Sequence, residues 1–384
     1  MEQKKTLDAL RCEIDEIDQS LVGLYKRRMQ AAARVAAYKK ENGLPVLDAA
    51  RERALLARIA DLAGEEHADS AVALYSTLLG LSRAYQGRLL GGEGEIAASV
   101  KRAIKETAAI FPERAAVACQ GVEGAYSQIA AEKIFSYPNI RYYRDFDDVF
   151  SAIENGECEY GVLPIENSTA GSVLKVYDLM LRHSFSIVRS VRLKIDHNVL
   201  VNPGSSLSDI KEIVSHEQAI SQCRGFLRSL PDVKVTPVAN TAVAAETVHL
   251  SGRKDIAALS SRDCAALYQL KLLKNAVQDT GNNFTRFICI SKNLEIFPGA
   301  DRTSIVLTVS HKPGALYHIL SRFYALGINL TKLESRPIPD RDFEFAFYFD
   351  LDISVYSPRF LQLLTELEHE CDSLRYLGSY TLNG

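Results

Sequence analysis

The chain has no excess of basic residues: 45 Lys and Arg stand against 48 Asp and Glu, a formal net charge of -3 over 384 residues. A nucleic-acid footprint needs clustered positive charge, so no polyanion partner is expected. No apolar run is long enough to cross a bilayer, and the N-terminus, charged from Glu2 onward, lacks the apolar block of a secretory signal. A cytoplasmic protein without a membrane partner is expected. The seven cysteines are scattered and form no CxxC pair. They read as reduced packing residues, which excludes a disulfide framework and a structural zinc. What is present is ordinary for a soluble globular protein, 47% hydrophobic and 24% charged, with length for two or three domains.

From Thr6 to about Lys40 the sequence predicts one long helix, with Leu7, Leu10, Ile14, Ile17, Leu21 and Leu24 spaced by three and four as in a heptad seam. The next seam position is Arg28, a charge that is costly to bury without a partner or an anionic ligand. Lys39 follows eleven residues later on nearly the same face, so the two can flank one small anion. Arg11 cannot join them, because seventeen residues of helix put it roughly 25 Å away. It can serve only a site completed by another subunit. Beyond the Gly43 and Pro45 break, a second helix is predicted near Asp48, bringing Asp48, Arg51 and Glu52 close together. A third is predicted over about 69–90, with Ser82 and Gln86 one turn apart. A first helix this long suits a dimer that buries its seam.

These eight polar positions, Arg11, Arg28, Lys39, Asp48, Arg51, Glu52, Ser82 and Gln86, resemble in type and order the active-site set of the all-helical chorismate mutases. The resemblance covers residues 1–90 and implies intertwined dimers in which an arginine of the first helix enters the partner's site. It also implies that Lys39 and Gln86 contact the ether oxygen of chorismate and are the catalytic pair.

A change of composition after Gly87, with GGEGE at 91–95 followed by a charged, alanine-rich helical segment, marks a linker over 91–112. From there to 296, apolar runs alternate with helical patterns, at 116–119, 160–163, 185–191, 197–201, 212–214, 256–259 and 287–290. This predicts an α/β unit with a largely parallel sheet. Polar clusters fall at the strand ends: GVEGAYS at 121–127, with Ser127 as a helix cap; GVLPIENSTAGS at 161–172, whose strand is expected to break at Pro164; SHEQAISQC at 215–223, where Ser215 starts a helix; and TGNNFTRF at 280–287. In this order they resemble the prephenate dehydratases, a two-lobed fold related to periplasmic binding proteins. The resemblance assigns prephenate to Asn167, Ser215, Gln222 and Thr285, and Ser168 and Arg286 are expected beside them. Thr285 is the catalytic hydroxyl, and the planar fork of Arg286 is the natural carboxylate partner. Glu166 reads as an ion-pair partner or, if buried, a general acid.

Over 299–384 the predicted order is strand 303–310, helix 314–326, strands 328–336 and 343–353, helix 358–370 and strand 374–382, the βαββαβ ferredoxin-like plan. Strict alternation from Phe343 to Ile353 predicts a strand with one buried face. KPGAL at 312–316 and ESRP at 334–337 resemble the ACT regulatory domains, where such segments bind phenylalanine. Gly314, Ala315, Leu316, Glu334, Ser335 and Arg336 are the implied effector residues. Together the three resemblances are those of the bifunctional chorismate mutase/prephenate dehydratases. They imply an allosteric, multifunctional enzyme of phenylalanine biosynthesis acting on chorismate and prephenate, a homodimer or dimer of dimers, with no cofactor and no metal. Two rival readings are a ligand sensor without catalysis and a monofunctional dehydratase whose helices serve only to dimerise.

Overall fold

The computed structural model describes residues 6–91, 94–338 and 344–383. Helix α1 (Leu7–Glu41) starts behind Thr6, whose hydroxyl accepts the amide of Ala9, and ends on Lys39 and Lys40, the favourable sign for a helix C-terminus. It packs against α2 (Ala49–Gly91). The sequence predicts two helices there. Both are present within α2, divided at Gly64, whose non-helical backbone (φ 70°, ψ 168°) is open almost only to glycine. Of the α1 residues only Ala32 and Ala36 are buried, while Leu7, Ile14, Ile17 and Leu21 lie more than half exposed. The seam is therefore built but unmatched within one chain.

Part of the stretch expected as a linker is α3 (Glu95–Glu106). Its Ala97, Val100 and Ala103 are buried beside Ile305, Phe349 and Leu363 of the C-terminal unit, so this helix is packed rather than a free tether.

The α/β unit has two lobes. The first holds β1 (Ala116–Gln120), α4 (Tyr126–Ile134), β2 (Asn139–Tyr143), α5 (Phe146–Glu154), β3 (Tyr160–Asn167), the short β4 (Gly171–Ser172), α6 (Leu174–Arg182) and β5 (Ser186–Lys194). The chain then crosses to a second lobe. There β6 (Asn198–Val201), β7 (Glu212–Ser215), α7 (Glu217–Gln222), α8 (Arg224–Arg228), β8 (Lys234–Pro237), α9 (Thr241–Ser251), β9 (Ile256–Ser260), α10 (Asp263–Leu267) and β10 (Lys271–Lys274) form a five-stranded sheet in the order β10-β6-β9-β7-β8. It returns on β11 (Phe284–Ser291), inserted between β3 and β5. The expected largely parallel sheet is mixed: β1 runs parallel to β2 and β3, but β11 is antiparallel to both its neighbours. Strands β5 and β11 carry the chain out of the first lobe and back into it, so they must run in opposite directions. Pro164 does not end β3. Where it faces Phe287 the register slips, which accommodates a residue without an amide hydrogen. Ser127 does not cap α4 either; it is buried inside the helix, behind Ala125.

The C-terminal unit follows the expected order: β12 (Arg302–Thr308), α11 (Ala315–Ala325), β13 (Asn329–Pro337), β14 (Phe345–Asp352), α12 (Pro358–Glu370) and β15 (Ser373–Tyr380), with strands in the order β13-β14-β12-β15. Phe343 lies outside the described residues. Strand β14 buries both faces, not one. Phe349 and Leu351 face the two helices, while Ala346 and Tyr348 join Leu163, Tyr177 and Ile187 of the first lobe in a single apolar cluster. The last strand, β16 (Leu382–Asn383), adds to the first lobe's sheet beside β5. Gly378 (φ 137°) permits this approach, because a Cβ there would overlap the carbonyl oxygen of Ile187. Gly378→Ala is expected to cost about 3 kcal/mol through overlap and backbone strain; an unchanged thermal midpoint would contradict this close packing. No helix among the described residues is long and apolar enough to cross a membrane.

Candidate functional site

In the helical unit Arg28, Lys39, Asp48, Arg51, Glu52, Ser82 and Gln86 line one cavity of about 250 Å³, with Ala32, Leu79 and Val46 as part of its apolar wall. Each is delivered by helix geometry. Arg28 reaches across to α2, donating to the hydroxyl of Ser82 and, at 3.3 Å, to the Leu78 carbonyl. Lys39 spends one hydrogen on the Val46 carbonyl. Asp48 caps α2 by accepting the Arg51 amide at 2.9 Å. Gln86 is buried in the cavity wall, and its carbonyl oxygen has no hydrogen-bond partner among the described residues. The sequence reading missed Arg83, which also lines the cavity and grips both oxygens of Glu52 at 2.6 and 2.5 Å. Its position next to Ser82 was the only available signal. Arg11 lies outside, exposed, with Asp8 at 3.4 Å as its partner.

The second cluster forms where the two lobes meet. Strand pairing sets Thr285 beside Asn167. The amide nitrogen of Asn167 donates to Thr285 Oγ1 at 2.9 Å and to Asn283 Oδ1 at 2.8 Å. Gln222, at the end of α7 in the second lobe, donates to Thr169 Oγ1 at 2.7 Å and accepts from Asn283 Nδ2 at 2.9 Å, so it ties the lobes together. His197 lies 2.8 Å from the same Gln222 oxygen, and burial holds its pKa below the ordinary 6.5. Asn167, Asn283, Thr285 and His197 are all buried. Thr169, His197 and Asn283 were not singled out from the sequence, although Asn283 stands inside the NNFTRF motif.

Of the other expected members, Ser168 and Arg286 line a separate cavity of about 420 Å³ that Asn167 also reaches, and Ser215 does not. Ser215 ends β7 and bonds the Leu259 carbonyl at 2.7 Å, and the residue that caps α7 is His216. Ser168 bridges to the 282–284 loop, donating to the Asn282 carbonyl and accepting the Phe284 amide. Arg286 follows Thr285 along a strand, so it faces the opposite side of the sheet. There it pairs with Glu166 at 2.7 Å and with Asp350 of β14. Glu166 takes a second cation, Lys332, at 3.2 Å, the ion-pair role rather than the acid role. Of the implied effector residues, Gly314 (φ 82°) opens α11 in the left-handed region. Glu334 accepts the hydroxyl of Ser172 at 2.5 Å, and Arg336 forks onto Asp178 at 2.9 and 2.8 Å. Lys332, Glu334 and Arg336 alternate along β13 and share one face, which clasps the α/β unit.

A cavity on paired helices that presents Arg28, Lys39, Arg51 and Arg83 beside Asp48 and Glu52, followed by a two-lobed α/β unit with a buried amide and hydroxyl cluster, defines an enzyme with two candidate sites in separate units. Residues 10–87 match the family model of chorismate mutase type II, and residues 117–295 that of prephenate dehydratase. The chain is 32% identical to a bifunctional chorismate mutase/prephenate dehydratase of Aquifex aeolicus over 97% of both chains. It is 38% identical to arogenate dehydratase/prephenate dehydratase 2 of Arabidopsis thaliana, across 70% of this chain and 74% of that one. A crystal structure of prephenate dehydratase from Arthrobacter aurescens in complex with L-Phe superposes with a TM-score of 0.64 at 28% identity, covering 69% of this chain and 89% of that one. The protein belongs to the bifunctional chorismate mutase/prephenate dehydratase family.

Proposed function

We propose that the helical cavity rearranges chorismate to prephenate and that the cluster around Thr285 converts prephenate to phenylpyruvate, two successive steps of phenylalanine biosynthesis. The observation that carries the first assignment is the convergence of seven of the eight expected residues on one cavity. Arg28 and Arg51 neutralise carboxylates of a compact chorismate conformer, while Lys39 and Gln86 stabilise charge on the breaking ether oxygen. In the second site Thr285 donates to the departing ring hydroxyl, and loss of water and carbon dioxide leaves an aromatic ring. Arg286 lies on the other face of the strand from Thr285, where its ion pairs with Glu166 of β3 and Asp350 of β14 tie the first lobe's sheet to the C-terminal unit. Following prephenate and phenylpyruvate separately from added chorismate tests both assignments.

The exposed apolar seam of α1 supports a dimer of such helices, with Arg11 of each chain completing the other's mutase cavity. Heterodimers of Arg11→Ala and Lys39→Ala subunits are then expected to regain one working site per pair. Verified heterodimers with no mutase activity would contradict sharing.

Phenylalanine is the proposed effector, bound by the segments at 314–316 and 334–336 of an ACT-type regulatory domain. The L-Phe complex of the Arthrobacter dehydratase supports this, as does the clasp of β13 on Glu166, Ser172 and Asp178 next to the catalytic strand. Feedback requires that phenylalanine bind a less active arrangement more tightly, by about 1–3 kcal/mol for a typical allosteric factor. Cutting the chain near Pro298 is a poor test, because Val306, Tyr348 and Leu377 complete the first lobe's core. Gly314→Val, straining the left-handed turn, is expected to abolish calorimetric phenylalanine binding and feedback while dehydratase activity persists. Undiminished inhibition would move the effector to the catalytic cleft.

A further inference from the structure

The hydrogen bonds around Thr285 fix the orientation of each side-chain amide in the cluster. The starting point is Asn167 Oδ1, which lies 3.0 Å from the Thr169 amide and 2.9 Å from the Ala170 amide. Backbone amides only donate, so this atom must be the oxygen, and the Asn167 amide cannot be turned over. Its nitrogen therefore faces Asn283 and Thr285 and spends both hydrogens on them. Asn283 must then present its oxygen to Asn167, which leaves its nitrogen toward Gln222. Gln222 must answer with its oxygen. An oxygen that already accepts from Asn283 can meet His197 Nε2 only if that nitrogen carries the hydrogen. His197 therefore carries a hydrogen on Nε2, and burial, with a bare Nδ1 that has no partner among the described residues, favours the neutral form of that ring. At the other end, Thr285 Oγ1 accepts from Asn167 and makes no other hydrogen bond among the described residues. Its own hydrogen points out of the network.

We propose that Asn283 and His197 are positioning residues of the dehydratase site: through Gln222 and Asn167 they hold the Thr285 hydroxyl as an outward donor to the group that leaves. This rests on the reading of Thr285 as the dehydratase hydroxyl. No charge moves in the resting network. Its work is to remove the alternative in which Thr285 donates inward and offers the substrate only a lone pair.

The test uses the full-length chain labelled with 15N at histidine, with the His197 signals assigned by their loss in His197→Asn. The expected spectrum at pH 7 shows His197 neutral with the hydrogen on Nε2. A hydrogen on Nδ1, or a charged ring, overturns the proposal without need of any variant. Asn283→Asp keeps the acceptor for Asn167 but removes the donor to Gln222, so Gln222 must turn its nitrogen toward the new carboxylate and toward His197. The expected result is a switch of His197 to the Nδ1–H form; an unchanged ring contradicts the chain of bonds. Asn167→Asp replaces the nitrogen facing Thr285 by oxygen and turns the threonine hydrogen inward. Its kcat on prephenate is expected to fall about 100-fold, the effect of losing one aligned donor. An unaltered kcat overturns the proposal. If Thr285→Ala is inactive but His197 carries its hydrogen on Nδ1, this inference alone fails; if Thr285→Ala is fully active, the reading of the site fails first.

Discussion

Thr285→Ala is expected to lower kcat for added prephenate by about 100- to 1000-fold, the range found on removing a single aligned donor from a water-poor site. The same protein should rearrange chorismate at its original rate. The residue is buried, its one hydrogen bond among the described residues accepts from Asn167, and it lies near the start of a strand whose backbone pairing with Asn167 and Leu193 does not depend on the side chain. Deleting it removes one methyl and one hydroxyl from a paired strand, about 1 kcal/mol of stability, and the fold should persist. KM should change little, because the donor acts mainly as the carbon–oxygen bond breaks. A variant that still forms phenylpyruvate at the wild-type rate would take Thr285 out of the site.

The converse holds for Lys39→Ala, expected to reduce chorismate rearrangement by about 100- to 1000-fold while sparing dehydration of added prephenate. Lys39 sits in the last turn of α1, fixed by the Val46 carbonyl, with its remaining hydrogens available to the cavity it lines. Arg28 and Arg51 stay to hold carboxylates, so the loss should fall on kcat more than on KM. The two reactions belong to different units, so their separation is a test of the domain assignment. If both activities fell together in a folded protein, that assignment would be wrong.

The helical site was legible because helix periodicity converts spacing into position. Arg28 and Lys39 share a face at eleven residues, and Asp48 and Glu52 at four, which is enough to gather them without a structure. Arg83 escaped because its partner, Glu52, is on a distant turn of the chain and nothing in spacing links them. In the α/β unit the motifs marked segments that the fold brings together, but not the directions of their side chains. Thr285 and Arg286 are adjacent in sequence, yet a strand sends them to opposite faces, so one joins Asn167 and the other joins Asp350. Ser215 and Ser168 are bound to backbone groups that only the folded sheet brings near. The strands β2 and β8 were invisible because their residues are largely exposed or half-buried and carry no apolar run. The buried second face of β14 was hidden for a different reason: alternation predicts which residues share a face, not whether another unit covers it. Tyr348 and Ala346 sit on the face expected to meet solvent and meet the first lobe instead.

The most direct test is to incubate the purified full-length chain with chorismate and follow prephenate and phenylpyruvate separately, with and without phenylalanine. The expected course is a rise of prephenate followed by phenylpyruvate, with the second step slowed by phenylalanine. Phenylpyruvate formed only from added prephenate would reduce the helical unit to a dimerisation element. Failure to consume either substrate, with phenylalanine still bound, would contradict the two-site enzyme and leave a ligand sensor.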